Sequence, residues 1–304
     1  MKDTFLAIVN PAAGAGRCGK LAPAALDELR KAGVPIETAE SRAPGDGTLL
    51  VRDGWQAGYR KFLAVGGDGT SFEIVNGLFP AADAEMSPEQ RPTLAFLPLG
   101  TGNSFLRDFT DRGVEYSKQA LLAGRRRPCD VLRLKHRDGV IYYMNLLSVG
   151  FTADVAALTN RRFKPLGELG YLLGVLVCLI RLRRRVYPFR VDGEKEMDRR
   201  PCLFLTFNNS QFTGGKMRIA PQANSGDGLI EFIRWGPIGR LGLIANLHRL
   251  YDGSHVNHPL ASRRAVKRIE FDLSGPVDIM VDGEVQRAQC QLLEVLPAAL
   301  QVMA

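Results

Sequence analysis

Residues 10–21, Asn-Pro-Ala-Ala-Gly-Ala-Gly-Arg-Cys-Gly-Lys-Leu, carry two glycine patterns at once. Gly14, Gly16 and Gly19 give the G-x-G-x-x-G spacing of dinucleotide loops, while Gly14, Gly19 and Lys20 give the G-x-x-x-x-G-K spacing of a P-loop. Leu21 stands where a P-loop needs a hydroxyl for magnesium. Asn10 to Ala13 separate the preceding apolar run from the first glycine, and Pro11 lacks a backbone donor. Neither signature holds. What the two share does hold: a strand ending in a glycine-rich loop whose N–H groups can face a phosphate. Two further runs repeat that design. Gly66-Gly67-Asp68-Gly69-Thr70 places one carboxylate among glycines, and Leu99-Gly100-Thr101-Gly102-Asn103 offers Thr101 and Asn103 as polar groups. One such loop is weak evidence, because turns use glycine for steric reasons. Three on successive strand ends converge on one edge of a parallel sheet, where open α/β sheets bind ligands.

The elements that must position these loops follow from the patterning. Phe5–Val9, Pro35–Glu40, Lys61–Val65 and Thr93–Leu97 read as strands, and Leu21–Lys31 and Ser71–Leu78 as helices. This alternation predicts an α/β domain over 1–128 with a parallel sheet. After about Asp130 the rhythm changes to short β-rich runs punctuated by Gly, Pro, Asn and Asp, with helical stretches only at Phe163–Leu182 and Gly239–Tyr251. An antiparallel β-sandwich over 129–304 is expected, with the last few residues returning to the first domain and an active site in the interdomain cleft.

Bulk properties bound the function. The chain has 304 residues, 45% apolar and 24% charged, which is ordinary globular composition. No apolar run approaches the roughly 18 residues of a membrane span. The apolar stretch before Asn10 is expected to be a buried strand rather than a signal peptide. Five scattered cysteines without a C-x-x-C pair fit a reduced, cytoplasmic protein. His248, His255 and His258 have no cysteine beside them, so solvent-facing polar residues are a better reading than a metal site. The net charge of +8 is clustered at Arg125–Arg127, Arg161–Arg162, Arg181 with Arg183–Arg185, and Arg263–Arg264. No helix-turn-helix, RNP-type motif or zinc-finger spacing accompanies these blocks, so no nucleic acid is expected as a partner. Anionic lipid or a phosphorylated substrate remains.

The ordered set "IVNPAAGAGR", "GGDGTSFEIVNGL", "LPLGTGNSFLRDF", "DVLRL", "NLLSVGFTADV", "LGELGYLLG", "FTGGKMRIAPQANSGDGLIE" and "VDGE" resembles the diacylglycerol kinase catalytic-domain family, which includes soluble bacterial lipid kinases and sphingosine kinases. The resemblance covers nearly the whole chain. Gly-Gly-Asp-Gly-Thr alone is shared with NAD kinases; the ordered set is specific to the lipid-kinase branch. The resemblance implies ATP and Mg²⁺ as cofactors and a lipid hydroxyl as phosphoryl acceptor. It assigns ATP contacts to Asn10, Pro11, Ala12, Ala13 and Gly14, to Ser41, to Gly66, Gly67, Asp68, Gly69, Thr70, Ser71 and Phe72, and to Thr101. It assigns a magnesium site to Asp227 with Asn224 and the Leu229 carbonyl, the lipid head group to Asp154, and the proton acceptor to Glu284 with Asp282 beside it. Three positions depart from the family pattern. Phe72 replaces a common Asn, Gly226 replaces the first Asp of an Asp-Asp-Gly triplet, and Ser104 replaces an Asp.

Phosphoryl transfer needs positioning and charge neutralisation more than covalent help, and the acceptor hydroxyl needs a carboxylate to take its proton. Both Glu284 and Asp68 compete for that role. Asp282-Gly283 can equally be hairpin turn chemistry. Tyr171–Ile180 is apolar on all sides and then meets Arg-Leu-Arg-Arg-Arg. As a helix of about 15 Å it is too short to span a bilayer. It reads either as a buried core helix or as a lid over an acyl-chain cleft that touches an anionic membrane surface, which would make the protein peripheral to the membrane. A NAD kinase and a non-catalytic nucleotide or lipid sensor are the alternatives. The acceptor lipid and the oligomeric state are not legible, and a homodimer is compatible with the sequence.

Overall fold

Phe5–Val9, Phe62–Gly66 and Thr93–Pro98 are buried along their whole length, as parallel strands covered on both faces must be. In the computed structural model, which describes residues 2–83, 87, 90–163, 167–214 and 216–304, these runs form the centre of one sheet. The chain divides into two units, Met1–Val131 with Leu296–Ala304, and Leu132–Val295. The first contains β1 (Lys2–Val9), α1 (Arg17–Lys31), β2 (Ile36–Glu40), α2 (Asp46–Gln56), β3 (Tyr59–Gly66), α3 (Asp68–Leu78), β4 (Thr93–Pro98) and α4 (Val114–Leu122), and ends in β5 (Arg127–His136). The second continues with β6 (Gly139–Tyr143), β7 (Leu146–Gly150), α5 (Phe151–Leu158), α6 (Gly167–Ile180), β8 (Phe189–Val191), β9 (Phe204–Asn208), β10 (Ile230–Trp235), α7 (Arg240–Asn246), α8 (Arg249–Asp252), β11 (Ala261–Val266), β12 (Arg268–Phe271), β13 (Val277–Val281) and β14 (Glu284–Ala288). The chain closes with β15 (Cys290–Val302).

In the first unit the order is β2-β1-β3-β4 followed by the end of β15, and every adjacent pair among these is parallel. Gln301 and Val302 pair with Thr93 and Leu94, so the last residues of the chain complete a sheet begun by the first. Helix α1 packs Cys18, Ala22, Leu26 and Leu29 onto Ala7, Val9, Leu63 and Val65. It starts four residues before the predicted Leu21, despite Gly19 and Pro23, because tertiary bonds hold its first turn: Gly19 N–H donates to the Pro11 carbonyl and Arg17 reaches the loop after β4.

The second unit has an antiparallel sheet in the order β11-β10-β9-β7-β13-β14. A second layer, in which β12 pairs with β8 and with the first half of β15, faces it. Phe189 and Phe271 of that layer meet Phe207 and Phe232 of the sheet edge-on, with ring centroids 5.1–6.3 Å apart, which is favoured aromatic geometry at the heart of a sandwich. The predicted 163–182 helix resolves into a π-helical turn, Thr159–Phe163, and α6; residues 164–166 lie outside the described residues. The predicted 239–251 helix is broken into α7 and α8. No described helix is long and apolar enough to cross a membrane.

Leu300 is fully buried in the first unit although about 180 residues separate it from α4 in the chain. Leu300→Ala is expected to destabilise that unit by about 2–5 kcal/mol, through lost burial and the cavity left behind. Urea unfolding followed by hydrogen exchange of β4 amides checks this.

Candidate functional site

The site begins where β3 and β4 leave the sheet side by side. Gly100 N–H donates to the Gly66 carbonyl at 2.8 Å, and Asp68 N–H donates to the Gly102 carbonyl at 2.9 Å. The loops are too close for side chains. A Cβ at Gly67 would lie 2.7 Å from the Gly102 carbonyl oxygen, and one at Gly100 would lie 2.7 Å from the Gly67 nitrogen. Asp68 closes the clamp, because Ser104 N–H donates to its two carboxylate oxygens at 2.9 and 3.0 Å. Burial pushes the Asp68 carboxyl above its ordinary range, and the Ser104 bonds pull it part of the way back. The recess behind it, between Phe96, Phe105 and Asn103, holds about 10 Å³, roughly room for one water.

The other loops join this pair. Asn10 N–H donates to the Val65 carbonyl at 3.0 Å, which sets the start of the first loop beside β3. Gly14 turns with φ +63 within reach of the Leu99 carbonyl. Ser41 follows β2, and both its N–H and its hydroxyl donate to the Val9 carbonyl, at 2.9 and 3.3 Å. Thus Asn10–Gly14, Ser41, Gly66–Phe72 and Thr101, taken one by one from sequence, gather at the ends of adjacent strands. Helix α3 begins at Asp68, so its first N–H groups and the positive end of its dipole face the same loops. Thr70 Oγ1 is buried there without a hydrogen-bond partner among the described residues.

Two residues of this cluster escaped the sequence reading. Arg17 Nη2 donates to the Gly100 carbonyl at 2.9 Å and to the Leu99 carbonyl at 3.3 Å, tying the first loop to the third. The only available signal was its place directly after the glycines. Glu73 accepts from Gly45 N–H at 2.8 Å and Gly47 N–H at 2.9 Å, docking the start of α2 against α3. That contact has no local sequence signal.

The second unit holds the remaining candidates. Asp282 and Gly283, with φ +48 and +90, form the two-residue turn between β13 and β14. The sequence offered Asp282 both as a catalytic carboxylate and as turn chemistry, and the structure places it in the turn. Its buried carboxylate accepts from the N–H groups of Met144, Asn145 and Leu146 at 2.9–3.1 Å, and so anchors the hairpin to the start of β7. Glu284 is different: it is exposed, and its carboxylate makes no hydrogen bond or ion pair among the described residues. Asp227 lies on the exposed loop before β10, where its Oδ1 accepts from Leu229 N–H at 3.0 Å; Asn224 Oδ1 accepts from Gly226 N–H at 3.2 Å. Asp227 Oδ2, Asn224 Oδ1 and the Leu229 carbonyl are hard oxygens on one short loop, a donor set that suits Mg²⁺ completed by water or phosphate. No group of three or more His, Cys, Asp or Glu residues able to hold a metal occurs among the described residues. Asp154, in the first turn of α5, is ion-paired with Arg185 Nη1 at 2.9 Å.

Interlocked glycine loops on a parallel α/β sheet, followed by an antiparallel sandwich carrying separate carboxylates, define a recognisable class. Residues 4–134 match the diacylglycerol kinase catalytic domain, and residues 145–304 match the YegS C-terminal NAD kinase beta sandwich-like domain. The chain is 25% identical over 300 residues to a diacylglycerol kinase of Mycobacterium tuberculosis, covering 98% of this chain and 94% of that protein. It is 33% identical over 267 residues to a YegS-like protein of Chromohalobacter salexigens, described as a probable lipid kinase, covering 86% and 81%. The crystal structure of a diacylglycerol kinase from Bacillus anthracis shares the fold with a TM-score of 0.70 and 19% identity, covering 99% of this chain and 96% of that one. The chain belongs to the diacylglycerol kinase and YegS-like lipid kinase family.

The tight contact at Gly67 gives a test. Gly67→Ala forces the Gly102 carbonyl away and separates the two loops. Affinity for ATP, measured by titration calorimetry, is expected to fall at least about tenfold, the equivalent of one or two lost phosphate donors. The second unit is expected to keep its hydrogen-exchange protection.

Proposed function

We propose that the protein is an ATP-dependent lipid kinase, transferring the γ-phosphoryl group of ATP to a hydroxyl of a lipid such as diacylglycerol. The observation that carries this reading is the interlocked pair of glycine loops at Gly66–Asp68 and Gly100–Ser104. They present backbone N–H groups in a geometry fixed before any phosphate arrives, and fixed donors cost little reorganisation as charge moves in the transition state. The names of the relatives support the lipid acceptor.

The residues divide the work by what each is free to do. Asp68 is engaged with Ser104 and braces the nucleotide loops. Asn224, Asp227 and the Leu229 carbonyl would hold Mg²⁺, which when bound neutralises charge on phosphate oxygens. Asp154 would meet the lipid head group. Glu284 is the proton acceptor: its carboxylate is exposed and uncommitted, on a hairpin whose turn residue Asp282 is anchored by three backbone bonds. As the lipid oxygen bonds to phosphorus and the bond from the γ-phosphorus to the bridging oxygen breaks, the hydroxyl proton passes to Glu284 and ADP leaves.

Glu284→Gln keeps the size and polarity of the side chain but cannot take a proton, so kcat is expected to fall about 10²–10⁴-fold. ATP affinity and the unfolding midpoint should stay unchanged. Asp282→Ala should behave in the opposite sense, lowering the stability of the second unit by about 1–3 kcal/mol because buried N–H groups lose their acceptor. Near-normal turnover in Glu284→Gln, with loss of turnover in an Asp68→Asn variant that still binds ATP, would transfer the proton to Asp68.

A further inference from the structure

The loop after β2 is exposed from Arg42 to Gly45, yet it is pinned at three places. At its start Ser41 donates both its N–H and its hydroxyl to the Val9 carbonyl. In its middle the N–H groups of Arg42 and Ala43 donate to Asp46 Oδ2 at 2.9 and 3.0 Å. At its end Gly45 and Gly47 each donate an N–H to a different carboxylate oxygen of Glu73. The Thr48 hydroxyl adds a bond to the Glu73 backbone carbonyl at 3.0 Å. Water suffices for the N–H groups of an exposed loop, so solvation alone does not call for a carboxylate supplied from another helix.

Glu73 stands in the second turn of α3, and the first turn of that helix, from Asp68 to Ser71, belongs to the interlocked glycine loops. Its carboxylate therefore ties the loop after β2 to the helix that opens the site. The strand order is β2-β1-β3, and neighbouring strands lie about 4.8 Å apart, so the ends of β2 and β3 are separated by about 10 Å. A nucleoside triphosphate spans that distance. The loop also carries an uncommitted cation. Arg42 is exposed, and its guanidinium makes no hydrogen bond or ion pair among the described residues. Glu40 lies two residues before it and Asp46 four residues after it, yet neither pairs with it. Asp46 Oδ2 is spent on backbone N–H groups instead.

We propose that Arg42 is a further nucleotide-binding residue, meeting a phosphate oxygen of ATP, and that Glu73 is the positioning residue that presents it. The inference rests on the nucleotide reading above. A guanidinium forms charge-assisted bonds to phosphate, and one left free of nearby carboxylates is open to that partner. Glu73 acts on the backbone that carries Arg42. It sits at the start of α2, where the positive end of the helix dipole favours a carboxylate, and it fixes the loop before ligand arrives. A loop released from Glu73 visits the binding geometry for part of the time, and the observed affinity falls by that fraction.

Titration calorimetry of ATP against the full-length chain, read without any turnover, tests both roles through a double-mutant cycle. Arg42→Gln is expected to lower ATP affinity at least about tenfold, the loss of one charge-assisted bond. Glu73→Gln puts an amide donor where one acceptor stood. It is expected to lower affinity about fivefold to tenfold, with faster hydrogen exchange confined to residues 42–49. The double variant should match Arg42→Gln alone within about twofold, because Glu73 acts through that side chain. A Cβ at Gly47 would collide with Glu73 Oε2, so Gly47→Ala releases the loop by a second route and carries the cycle if Glu73→Gln does not fold. Unchanged affinity in Arg42→Gln overturns the ligand role. Losses that simply multiply in the double variant overturn the positioning role. Absence of ATP binding by the unaltered protein would overturn the nucleotide reading itself, and this proposal with it.

Discussion

The contact between the loops after β3 and β4 is the constraint on which the site depends. Two backbones approach so closely that a Cβ at Gly67 or Gly100 has no room, and that approach lets Gly100 N–H reach Gly66 and Asp68 N–H reach Gly102. Asp68 then has to accept from Ser104, because a half-buried carboxylate with no donor would be costly in this position. Arg17 ties in the first loop through the Leu99 and Gly100 carbonyls. Separate turns thereby become one body before any ligand binds. Preorganisation of this kind is worth more to phosphoryl transfer than any single contact, because the donors do not have to be ordered as charge develops.

The second unit shows how one short motif can serve two ends. Asp-Gly-Glu occurs at 192–194 and again at 282–284. Asp192 and Asp282 share φ +48, each is followed by a glycine of positive φ, and each accepts from consecutive backbone N–H groups, those of Lys267 and Arg268 in the first case. The aspartate is turn chemistry in both places. The glutamates part company, since Glu194 is held by Arg264 while Glu284 has no partner among the described residues. The two glutamates are distinguished by what surrounds them, and the motif by itself does not carry that information.

The same distinction explains what the sequence disclosed. Strands β1, β3 and β4 were legible because burial on both faces leaves a continuous apolar run, and their loops because glycine is required where backbones touch. Helix α2 was not legible, since Gly47 and Gly54 lie inside it and lower its intrinsic preference; the bonds from Gly45 and Gly47 to Glu73, 28 and 26 residues away, fix its start. The break between α7 and α8 was hidden for a similar reason, because apolar spacing runs on through Leu247 and Leu250. Residue by residue, the nucleotide candidates gathered as expected from their loops. Asp282 and Arg185 changed meaning once their partners, Met144 to Leu146 and Asp154, were in view. Partners distant in sequence are what composition and periodicity cannot supply.

The central claim is that the fixed loops hold a nucleotide whose terminal phosphoryl group goes to a lipid hydroxyl. Incubating the protein with Mg²⁺ and ATP labelled at the γ-phosphate, beside diacylglycerol in mixed micelles and NAD in solution, tests it most directly. The account predicts label in the organic phase as a lipid phosphomonoester, in step with ADP release. Label confined to NAD or to inorganic phosphate would contradict it.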